Sequence, residues 1–354
     1  MRAVYFESHG EPSGLVVGER PKPSPGEGEV LVRLRAASLN RLDLFLLRGL
    51  PGVPVVLPHI GGADGAGIVA ESGGGVTGWK PGDEVVLNPG LWCGRCEFCA
   101  RGEESQCVKF GVVGEHVDGT LAEYVKVPAS SLARKPAGLS WPEAAAFGLT
   151  FLTAWRMLMT RARLVAGESV LIHGIGGGVA LAALAIAKRV GATVFITSSS
   201  EAKLARGREM GADHILNYTS CDVGREVRGL TGKRGVDVVV ETVGAATWTS
   251  SLRSAAKGGR IVTCGATSGA NPTEELPLIF WNQLSILGST MGSRADWRAM
   301  VRAVEDWNLR PVLDSVLPLE SGRSGYERMA SGGQFGKIVL EIPGASSPTG
   351  QSGS

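Results

Sequence analysis

The chain has 354 residues, and its 44% hydrophobic and 20% charged content is that of an ordinary soluble globular protein of about two domains. Its net charge of +2 gives no electrostatic reason to expect binding to nucleic acid or to an anionic membrane. Residues 1–9 lack an apolar signal core and no apolar run reaches membrane-spanning length, so we expect a cytoplasmic protein with no membrane segment.

Short β-forming runs separated by Gly and Pro fill the first part of the chain, from residue 1 to about residue 139. These runs lie at residues 30–34, 67–70, 84–87 and 124–127. Short strands at such spacing predict a compact, partly closed β-barrel.

Four cysteines lie close together after the third of these runs. They are Cys93, Cys96, Cys99 and Cys107. Thiolates separated by two residues can bind one ion, and four sulfurs complete the closed tetrahedral shell of a structural zinc. The alternatives are two disulfides or four unrelated thiols, but the absence of a secretory signature favours zinc. A closed shell stabilises a loop and cannot activate water or substrate.

The pattern changes to alternating strands and helices from about residue 167. Strands are predicted at residues 169–173, 193–196, 236–240, 260–263 and 285–290, and helices at 179–188, 201–210 and 294–306. This alternation predicts a doubly wound parallel α/β domain. We expect the apolar run 337–341 to return to the first domain, and the Gly/Ser-rich tail 344–354 to be disordered.

A glycine-rich segment follows the predicted strand that ends at His173. It contains Gly174, Gly177, Gly178 and Val179 and opens the next helix. Glycine permits the tight turn and lets the backbone approach a pyrophosphate, which then meets free N–H groups at the helix N-terminus. A plain glycine-rich turn is the alternative, but the strand before and the helix after favour dinucleotide binding.

The end of the second parallel strand distinguishes the two nicotinamide cofactors. NAD sites usually place an acidic residue there, whereas this chain has Ser198, Ser199 and, in the next helix, Lys203. Tyr218 ends the following strand. Hydroxyls and a cation favour a 2′-phosphate, so we predict NADPH rather than NADH. The alternative is that Lys203 belongs to a solvated helix face.

Further short motifs point to a family. They are NRLD at 40–43, GADGAG at 62–67, TFLTAW at 150–155, CGAT at 264–267 and GKIVL at 336–340. Together with the cysteine cluster and the glycine-rich turn, they resemble the medium-chain dehydrogenase/reductase superfamily over residues 1 to about 343. The resemblance implies a GroES-like β-barrel catalytic domain at 1–150, completed by 291–343, and a doubly wound parallel Rossmann domain at 151–290. It also implies an active site in the cleft between them, and a homodimer or homotetramer through the edge strand at 284–290.

The family's catalytic zinc site is incomplete in this sequence. Zinc alcohol dehydrogenases of the family bind that metal through a Cys where this chain has Asn40, and through a His where it has Ala63. The third ligand would fall near residues 148–150, which offer no thiolate or imidazole. Alanine cannot bind zinc and an amide is a poor ligand, so we expect one structural zinc per chain and no catalytic one.

The resemblance implies an NADPH-dependent reductase of quinones or α,β-unsaturated carbonyls, because charge on these substrates spreads over an enolate or aryloxide without a metal. Asn40 would orient or polarise the substrate oxygen, with Asp43 and Asp64 near it. The further cofactor contacts that the resemblance implies are Thr150, Thr153, Gly265, Ala266, Thr267, Ser289, Thr290 and Lys337.

Two alternatives to this function stay open. One is an alcohol or aldehyde dehydrogenase whose zinc is held by unexpected ligands such as His59, Asp64 or His116. The other is a cofactor-binding protein with little catalysis. Asp43 and Asp64 also have a structural alternative, as buried partners of a nearby arginine or of Lys337.

Overall fold

Antiparallel strands dominate the first 140 residues, as the short β-forming runs predict. The structure is a computed structural model that describes residues 1–343, so the predicted disordered tail at 344–354 lies outside the described residues. The strands of this part are β1 Arg2–Phe6, β2 Val16–Glu19, β3 Glu29–Ser38, β4 His59–Ile60, β5 Asp64–Ser72, β6 Glu84–Leu87, β7 Gly90–Leu91, β8 Gly111–Val112, β9 Tyr124–Pro128 and β10 Leu132–Arg134. Its helices are α1 Arg41–Arg48, α2 Glu97–Ala100 and α3 Trp141–Ala144.

Strands and helices alternate in the rest of the chain. The strands are β11 Ser169–Ile172, β12 Thr193–Ser198, β13 His214–Asn217, β14 Val236–Glu241, β15 Ala255–Thr263, β16 Ser285–Gly288, β17 Leu313–Pro318 and β18 Lys337–Glu341. The helices are α4 Gly148–Trp155, continued by a π-helical turn at Arg156–Arg161, then α5 Gly178–Val190, α6 Glu201–Glu209, α7 Val223–Leu230, α8 Trp248–Ser254, α9 Leu276–Asn282, α10 Arg294–Asp306 and α11 Gly322–Ser331.

The second part is built on a six-stranded parallel sheet with the order β13-β12-β11-β14-β15-β16. This is the doubly wound Rossmann order: successive strands are added towards one edge up to β13 and towards the other edge from β14, so the switch point lies between β11 and β14. Ligands of such sheets bind outside the carboxyl ends of the strands at that switch point. The fold therefore places a crevice directly beside the predicted glycine-rich turn.

A strand from the end of the described chain, β18, joins the main sheet of the barrel. This sheet has the order β10-β6-β5-β3-β18-β17, with β9 also paired to β3. Val339 of β18 lies opposite Ser38 of β3 in antiparallel register. At Gly67 of β5 a Cβ atom would lie 2.2 Å from the Arg33 carbonyl oxygen, so the close pairing of β5 with β3 at this irregularity requires glycine.

One buried apolar cluster spans the two parts, and each part also has a cluster of its own. The largest buried cluster includes Ala36 and Ala66 of the barrel together with the apolar faces of α4 and α5. Phe147, at the start of α4, stacks on Trp297 of α10 with ring centroids 6.1 Å apart. This packing fixes the cleft between the parts, while the domain boundaries at 150 and 290 stay predictions.

The predicted strands and helices all have counterparts in the structure. The predicted last parallel strand ends at Gly288 rather than at residue 290, and β15 begins at Ala255, ahead of its predicted start. Several further elements were not predicted, among them α1, α4, α8, β17 and α11. Within residues 1–343, no helix combines the length and apolarity needed to cross a membrane.

Candidate dinucleotide cleft and metal site

The glycine-rich turn joins β11 to α5. Gly174 and Gly176 have φ angles of +69° and +112°, a region that glycine adopts most readily. The N–H of Ile175 donates to the Thr197 carbonyl oxygen (2.8 Å), which holds the turn against β12. The first N–H groups of α5 have no partner within the helix, and Gly177, Gly178 and Val179 line a cleft. The turn therefore has the form of an anion-binding helix N-terminus.

That cleft has a volume of about 180 Å³ and is lined from both parts of the molecule. The barrel contributes Asn40 and Arg41, and the opposite wall contributes Thr150 and Gly178. At Gly178 a Cβ atom would lie 2.7 Å from Thr150 Cγ2 and 3.1 Å from Lys337 Cδ. Only a residue without a side chain lets the turn approach α4 and β18 so closely.

Two buried hydroxyls predicted to contact the cofactor have no hydrogen-bond partner among the described residues. They are Thr150 Oγ1 and Ser289 Oγ. Thr153 differs, because its hydroxyl donates to the Leu149 carbonyl oxygen (2.7 Å). A buried polar group left unpaired costs about 1–3 kcal/mol, so orphaned hydroxyls are groups that a bound ligand would satisfy. The residues present thus fit a nicotinamide dinucleotide.

A larger cavity of about 530 Å³ lies on the other side of the glycine-rich turn. It is lined by residues at the carboxyl ends of three neighbouring strands, among them His173, Thr197 and Val243, and by Tyr218. A Rossmann sheet holds the adenosine half of its cofactor in this region. The two cavities and the turn between them match the two halves of a dinucleotide and its pyrophosphate.

The residues predicted to distinguish NADPH from NADH lie together at the end of β12. Ser198 is buried and its Oγ accepts from the Ser200 N–H (3.1 Å), while Ser199 is exposed. Lys203 Nζ donates to the Gly332 carbonyl oxygen (2.7 Å), and burial lowers the pKa of this lysine. Tyr218 is half-exposed, and its N–H donates to the Ser198 carbonyl oxygen (3.2 Å).

The remaining predicted cofactor contacts lie at the carboxyl edge of β15 and β16. Gly265, Ala266 and Thr267 are exposed in the loop after β15, and Thr290 is exposed beyond β16. Thr267 Oγ1 donates to the Thr242 carbonyl oxygen (3.4 Å), which holds this loop beside the end of β14. These residues therefore lie at the carboxyl ends of the parallel strands, the same edge of the sheet at which the glycine-rich turn follows β11.

Asn40, Asp64 and Lys337 form one buried hydrogen-bonded group at the back of the cleft. Lys337 Nζ donates to Asn40 Oδ1 (2.5 Å) and to Asp64 Oδ2 (3.0 Å). Asn40 Nδ2 also donates to Asp64 Oδ2 (3.0 Å). Asp64 is fully buried, and its other oxygen accepts the Leu149 N–H at the start of α4 (2.6 Å). The sequence left open whether a buried Asp64 would pair with an arginine or with Lys337, and in the structure it forms an ion pair with Lys337.

Asp43 lies beside this group but has a different environment. Its carboxylate accepts the N–H groups of Asn40 (2.6 Å) and Gly62 (2.9 Å), so it caps the N-terminus of α1. Burial raises the pKa of Asp43 to about 6, in spite of these hydrogen bonds and the Lys337 charge. Asp43 therefore positions Asn40, and its raised pKa lies closer to neutral pH than that of an ordinary carboxyl group.

The four clustered cysteines converge as predicted. All four Sγ atoms lie within 4.8 Å of one another, and the sulfurs of Cys96 and Cys99 are 3.6 Å apart. Backbone N–H groups of Cys99 and Val108 lower the pKa of Cys96 to about 6. Burial, and then hydrogen bonds with Cys96 and Cys107, raise the pKa of Cys99 to about 12. A bound divalent cation would favour the thiolate form of the four sulfurs. The donor set fits a structural zinc.

Buried ion pairs tie this cysteine-rich loop to the helices at the domain junction. Arg156 is 3% exposed and bonds Glu103 and Asp296, each at 2.6 Å. Glu104 accepts from both the backbone N–H and the Nε of Arg294 (3.0 and 2.7 Å). Sequence reasoning missed this set, because the partners lie far apart along the chain. The loop is thereby fixed to α4 and α10, close to the cleft.

The residues proposed as unexpected zinc ligands do not meet. His59 is buried against Phe6, and its Nε2 lies 3.0 Å from the Gly114 carbonyl oxygen. His116 Nδ1 accepts the Val112 N–H (3.1 Å). Among residues 1–343, the cysteine cluster is the one set of three or more His, Cys, Asp or Glu side chains whose ligand atoms converge.

Comparisons with known proteins agree with the barrel and the nucleotide-binding fold. Residues 26–137 match the family model of the alcohol dehydrogenase GroES-like domain, and residues 178–306 match that of zinc-binding dehydrogenases. The chain is 34% identical to a zinc-type alcohol dehydrogenase-like protein of Schizosaccharomyces pombe, over 96% of this chain and 99% of that protein. It is 33% identical to an acryloyl-coenzyme A reductase of Metallosphaera sedula, again over 96% and 99%.

A solved structure gives the same result. The crystal structure of an NAD-dependent alcohol dehydrogenase superimposes with a TM-score of 0.93 at 47% identity, covering 97% of this chain and 100% of that one. A GroES-like barrel with a Rossmann sheet defines a nicotinamide-dependent oxidoreductase of two domains. This chain belongs to the medium-chain dehydrogenase/reductase superfamily, in its zinc-type, alcohol dehydrogenase-like branch.

The cysteine cluster predicts a zinc content of one ion per chain. Cys96→Ser and Cys107→Ser should each abolish the bound zinc, because a closed site loses most of its affinity with one thiolate. Cys221→Ser, outside the cluster, should keep one zinc per chain. Elemental analysis of the purified protein measures this ratio. Two zinc ions per chain would contradict the prediction.

Proposed function

We propose that this oxidoreductase uses NADPH to reduce a carbonyl-conjugated C=C bond or a quinone, and that it does so without a catalytic metal. The observation that carries the proposal is the Asn40–Asp64–Lys337 group. Asn40 stands where zinc-dependent members of the family have their first zinc ligand, and its amide is hydrogen-bonded to Lys337 through Oδ1 and to Asp64 through Nδ2. When bound, NADPH supplies a hydride from C4 of its nicotinamide. Solvent supplies the proton that completes the reduction.

The geometry gives Asn40 a donor for the substrate oxygen. Lys337 fixes Oδ1 and Asp64 fixes one hydrogen of Nδ2, so the amide cannot flip. An amide nitrogen carries two hydrogens, and the second is available to a substrate oxygen at the cleft. One well-placed donor of this kind stabilises a developing oxyanion by roughly 3 kcal/mol. That magnitude suits a delocalised enolate or aryloxide better than a localised alkoxide.

Lys337 would act on the cofactor. Its ammonium group carries three donors, and Asn40 and Asp64 account for two of them. The side chain also lies against Gly178 at the start of α5. A third donor at this position is placed to assist the helix N-terminus in binding the pyrophosphate.

The similarity to an acryloyl-coenzyme A reductase supports enoyl thioesters as members of the substrate class. The main alternative is alcohol or aldehyde oxidation. The 47% identity to an NAD-dependent alcohol dehydrogenase favours that alternative, and it also keeps NADH open as the cofactor. A cofactor-binding protein with little catalysis is the third candidate.

A turnover screen tests the proposal. We expect NADPH oxidation with quinones, enones or enoyl thioesters, and we expect it to persist with one zinc per chain. Asn40→Ala should lower kcat by roughly 10²–10³-fold, because it removes an oxyanion donor. Asn40→Asp, which keeps the size but loses the donor, should behave similarly. Alcohol oxidation that requires a second zinc would contradict the proposal, and tight NADPH binding without turnover would favour the third candidate.

The cofactor preference has its own test at Lys203. Lys203→Gln keeps an amide donor for the Gly332 carbonyl oxygen but removes the charge. We expect the KM for NADPH to rise roughly 10–100-fold, the loss of one charge-assisted hydrogen bond, with little change for NADH. Arg208→Ala, on the exposed face of the same helix, is the matched control and should change neither. Equal effects on both cofactors would refute the assignment.

We also propose that the chain forms a homodimer through the exposed edge of β16. Within the described chain this strand pairs only with β15, and Ile286 is 38% exposed. The neighbouring helix α9 exposes Phe280 (64%) and Trp281 (74%). An unpaired apolar edge is normally covered, and a second copy of the same edge covers it symmetrically.

Charge at this edge should dissociate the dimer. We expect Ile286→Lys to halve the mass measured by light scattering, because the lysine would be buried unpaired at the interface. Leu230→Lys, at a position 49% exposed on α7, which packs against β13 at the opposite edge of the sheet, should leave the mass unchanged. A wild-type monomer, or a dimer unaffected by Ile286→Lys, would refute the proposed interface.

A further inference from the structure

A buried chain of hydrogen bonds lies beneath the larger cavity, outside the proposed substrate site. It joins the side chains of Glu241, Ser251, His173 and Thr197, which are at most 1% exposed. Ser251 Oγ lies 2.6 Å from Glu241 Oε2 and 3.1 Å from His173 Nε2. His173 Nδ1 lies 3.3 Å from Thr197 Oγ1. The chain thus crosses from β14 through α8 to β11 and β12.

Glu241 sets the direction of these hydrogen bonds. Its Oε1 accepts the N–H groups of Val243 (2.7 Å) and Gly244 (2.9 Å). The Thr247 hydroxyl contacts both oxygens. Surrounded by donors in this way, a carboxylate acts only as an acceptor, so the Ser251 hydroxyl must donate to it. The only remaining hydrogen for the Ser251–His173 contact is the one on His173 Nε2.

The order of donors then continues to the glycine-rich turn. Because Nε2 carries the hydrogen, Nδ1 of a neutral His173 is an acceptor, and the Thr197 hydroxyl donates to it. Burial lowers the pKa of His173 in spite of the Glu241 charge, which keeps the ring neutral. Thr197 Oγ1 in turn accepts the N–H of Gly174 (3.2 Å). Each donor in the chain has one acceptor, from the backbone of the turn to the carboxylate.

We propose that Glu241, Ser251 and His173 are cofactor-positioning residues, which act through Thr197 to fix the glycine-rich turn in the conformation that binds the dinucleotide pyrophosphate. This inference rests on the proposed dinucleotide site, but it does not depend on the substrate or on the choice between NADPH and NADH. His173 and Thr197 also line the larger cavity, so the same chain shapes the wall on which the adenosine half would lie.

Helix α8 contains the control for this proposal. Ser251 and Ser254 are both fully buried on the same helix, but Ser254 Oγ has no hydrogen-bond partner among the described residues. Ser251→Ala interrupts the chain, whereas Ser254→Ala removes a hydroxyl of the same size that takes no part in it. A general effect of altering α8 would appear in both variants.

Glu241→Gln tests the direction of the chain. If the glutamine oxygen keeps the Val243 and Gly244 contacts, its amide donates to Ser251. Ser251 must then donate to His173 Nε2, and the histidine hydrogen moves to Nδ1. Both Gly174 and His173 would donate to Thr197, and the Thr197 hydroxyl would lose its acceptor. The substitution therefore reverses the tautomer of one buried histidine without a change in size.

The experiment combines ¹⁵N NMR of histidine-labelled protein with cofactor titration. The protein has five histidines, and the signal that disappears in His173→Asn is that of His173. We expect the Nε2–H tautomer in the wild type and in Ser254→Ala, and the Nδ1–H tautomer in Glu241→Gln. Calorimetric titration should show the Kd rising roughly tenfold in Ser251→Ala and Glu241→Gln, for NADPH and NADH alike, and less than twofold in Ser254→Ala.

Two outcomes with the wild type and Ser251→Ala would overturn the inference. An Nδ1–H tautomer in the wild type would mean that the chain runs in the opposite direction. If Ser251→Ala lowers the melting temperature but leaves the Kd for the cofactor unchanged, the hydrogen-bond chain stabilises the fold and does not position the cofactor. A wild type that binds neither cofactor would overturn the proposed function itself, whereas binding with no reductase activity would leave this inference standing.

Discussion

The buried ion pair between Lys337 and Asp64 is the contact on which the arrangement of the cleft depends. Through Asn40 and the Leu149 N–H it joins β18, β5, the start of α1 and the start of α4. Removing one partner of a buried pair costs about 3–5 kcal/mol, because the other charge is left uncompensated. Here that loss would also free the Asn40 amide and the N-terminus of α4, which carries Thr150. Stability and site geometry therefore depend on the same few atoms.

The buried polar groups near the cleft fall into two kinds. Asp64 and Glu241 have their oxygens surrounded by donors from the protein itself, which makes them parts of the scaffold. Thr150, in the wall of the cleft, and Ser289, just beyond β16, have hydroxyls without partners among the described residues. The first kind rigidifies the walls, and the second leaves hydrogen-bonding capacity that a cofactor can use. A preformed site needs both.

A feature of this molecule could be predicted from the sequence when the residues that form it lie close together along the chain. The zinc cluster is local, since Cys93 and Cys107 are fourteen residues apart and the spacing alone defines a tetrahedral donor set. The glycine-rich turn is equally local, and the alternating strands and helices predict the sheet around it. Family resemblance supplied the positions of Asn40, Asp43 and Asp64, although not their contacts.

The features that sequence reasoning could not supply are pairings between distant segments. Lys337 and Asp64 are 273 residues apart, and Arg294 and Glu104 are 190 apart. The sequence analysis assigns no role to Glu241 or to Ser251. Only the packing of α8 against β14 and β15 brings Ser251 to Glu241 and His173. The polarity of that chain is a property of the assembled donors and acceptors, so no short motif could reveal it.

The proposed chemistry follows from the kind of cation at the cleft. Zinc acts as a Lewis acid by accepting a lone pair, which allows it to hold the concentrated charge of an alkoxide. A lysine ammonium already bonded to an aspartate and an amide offers no empty orbital, and its charge is largely compensated. What this arrangement provides is a rigid set of hydrogen-bond donors. Such donors stabilise charge that is spread over several atoms, so the proposal favours enolates and aryloxides over alkoxides as the species formed at this site.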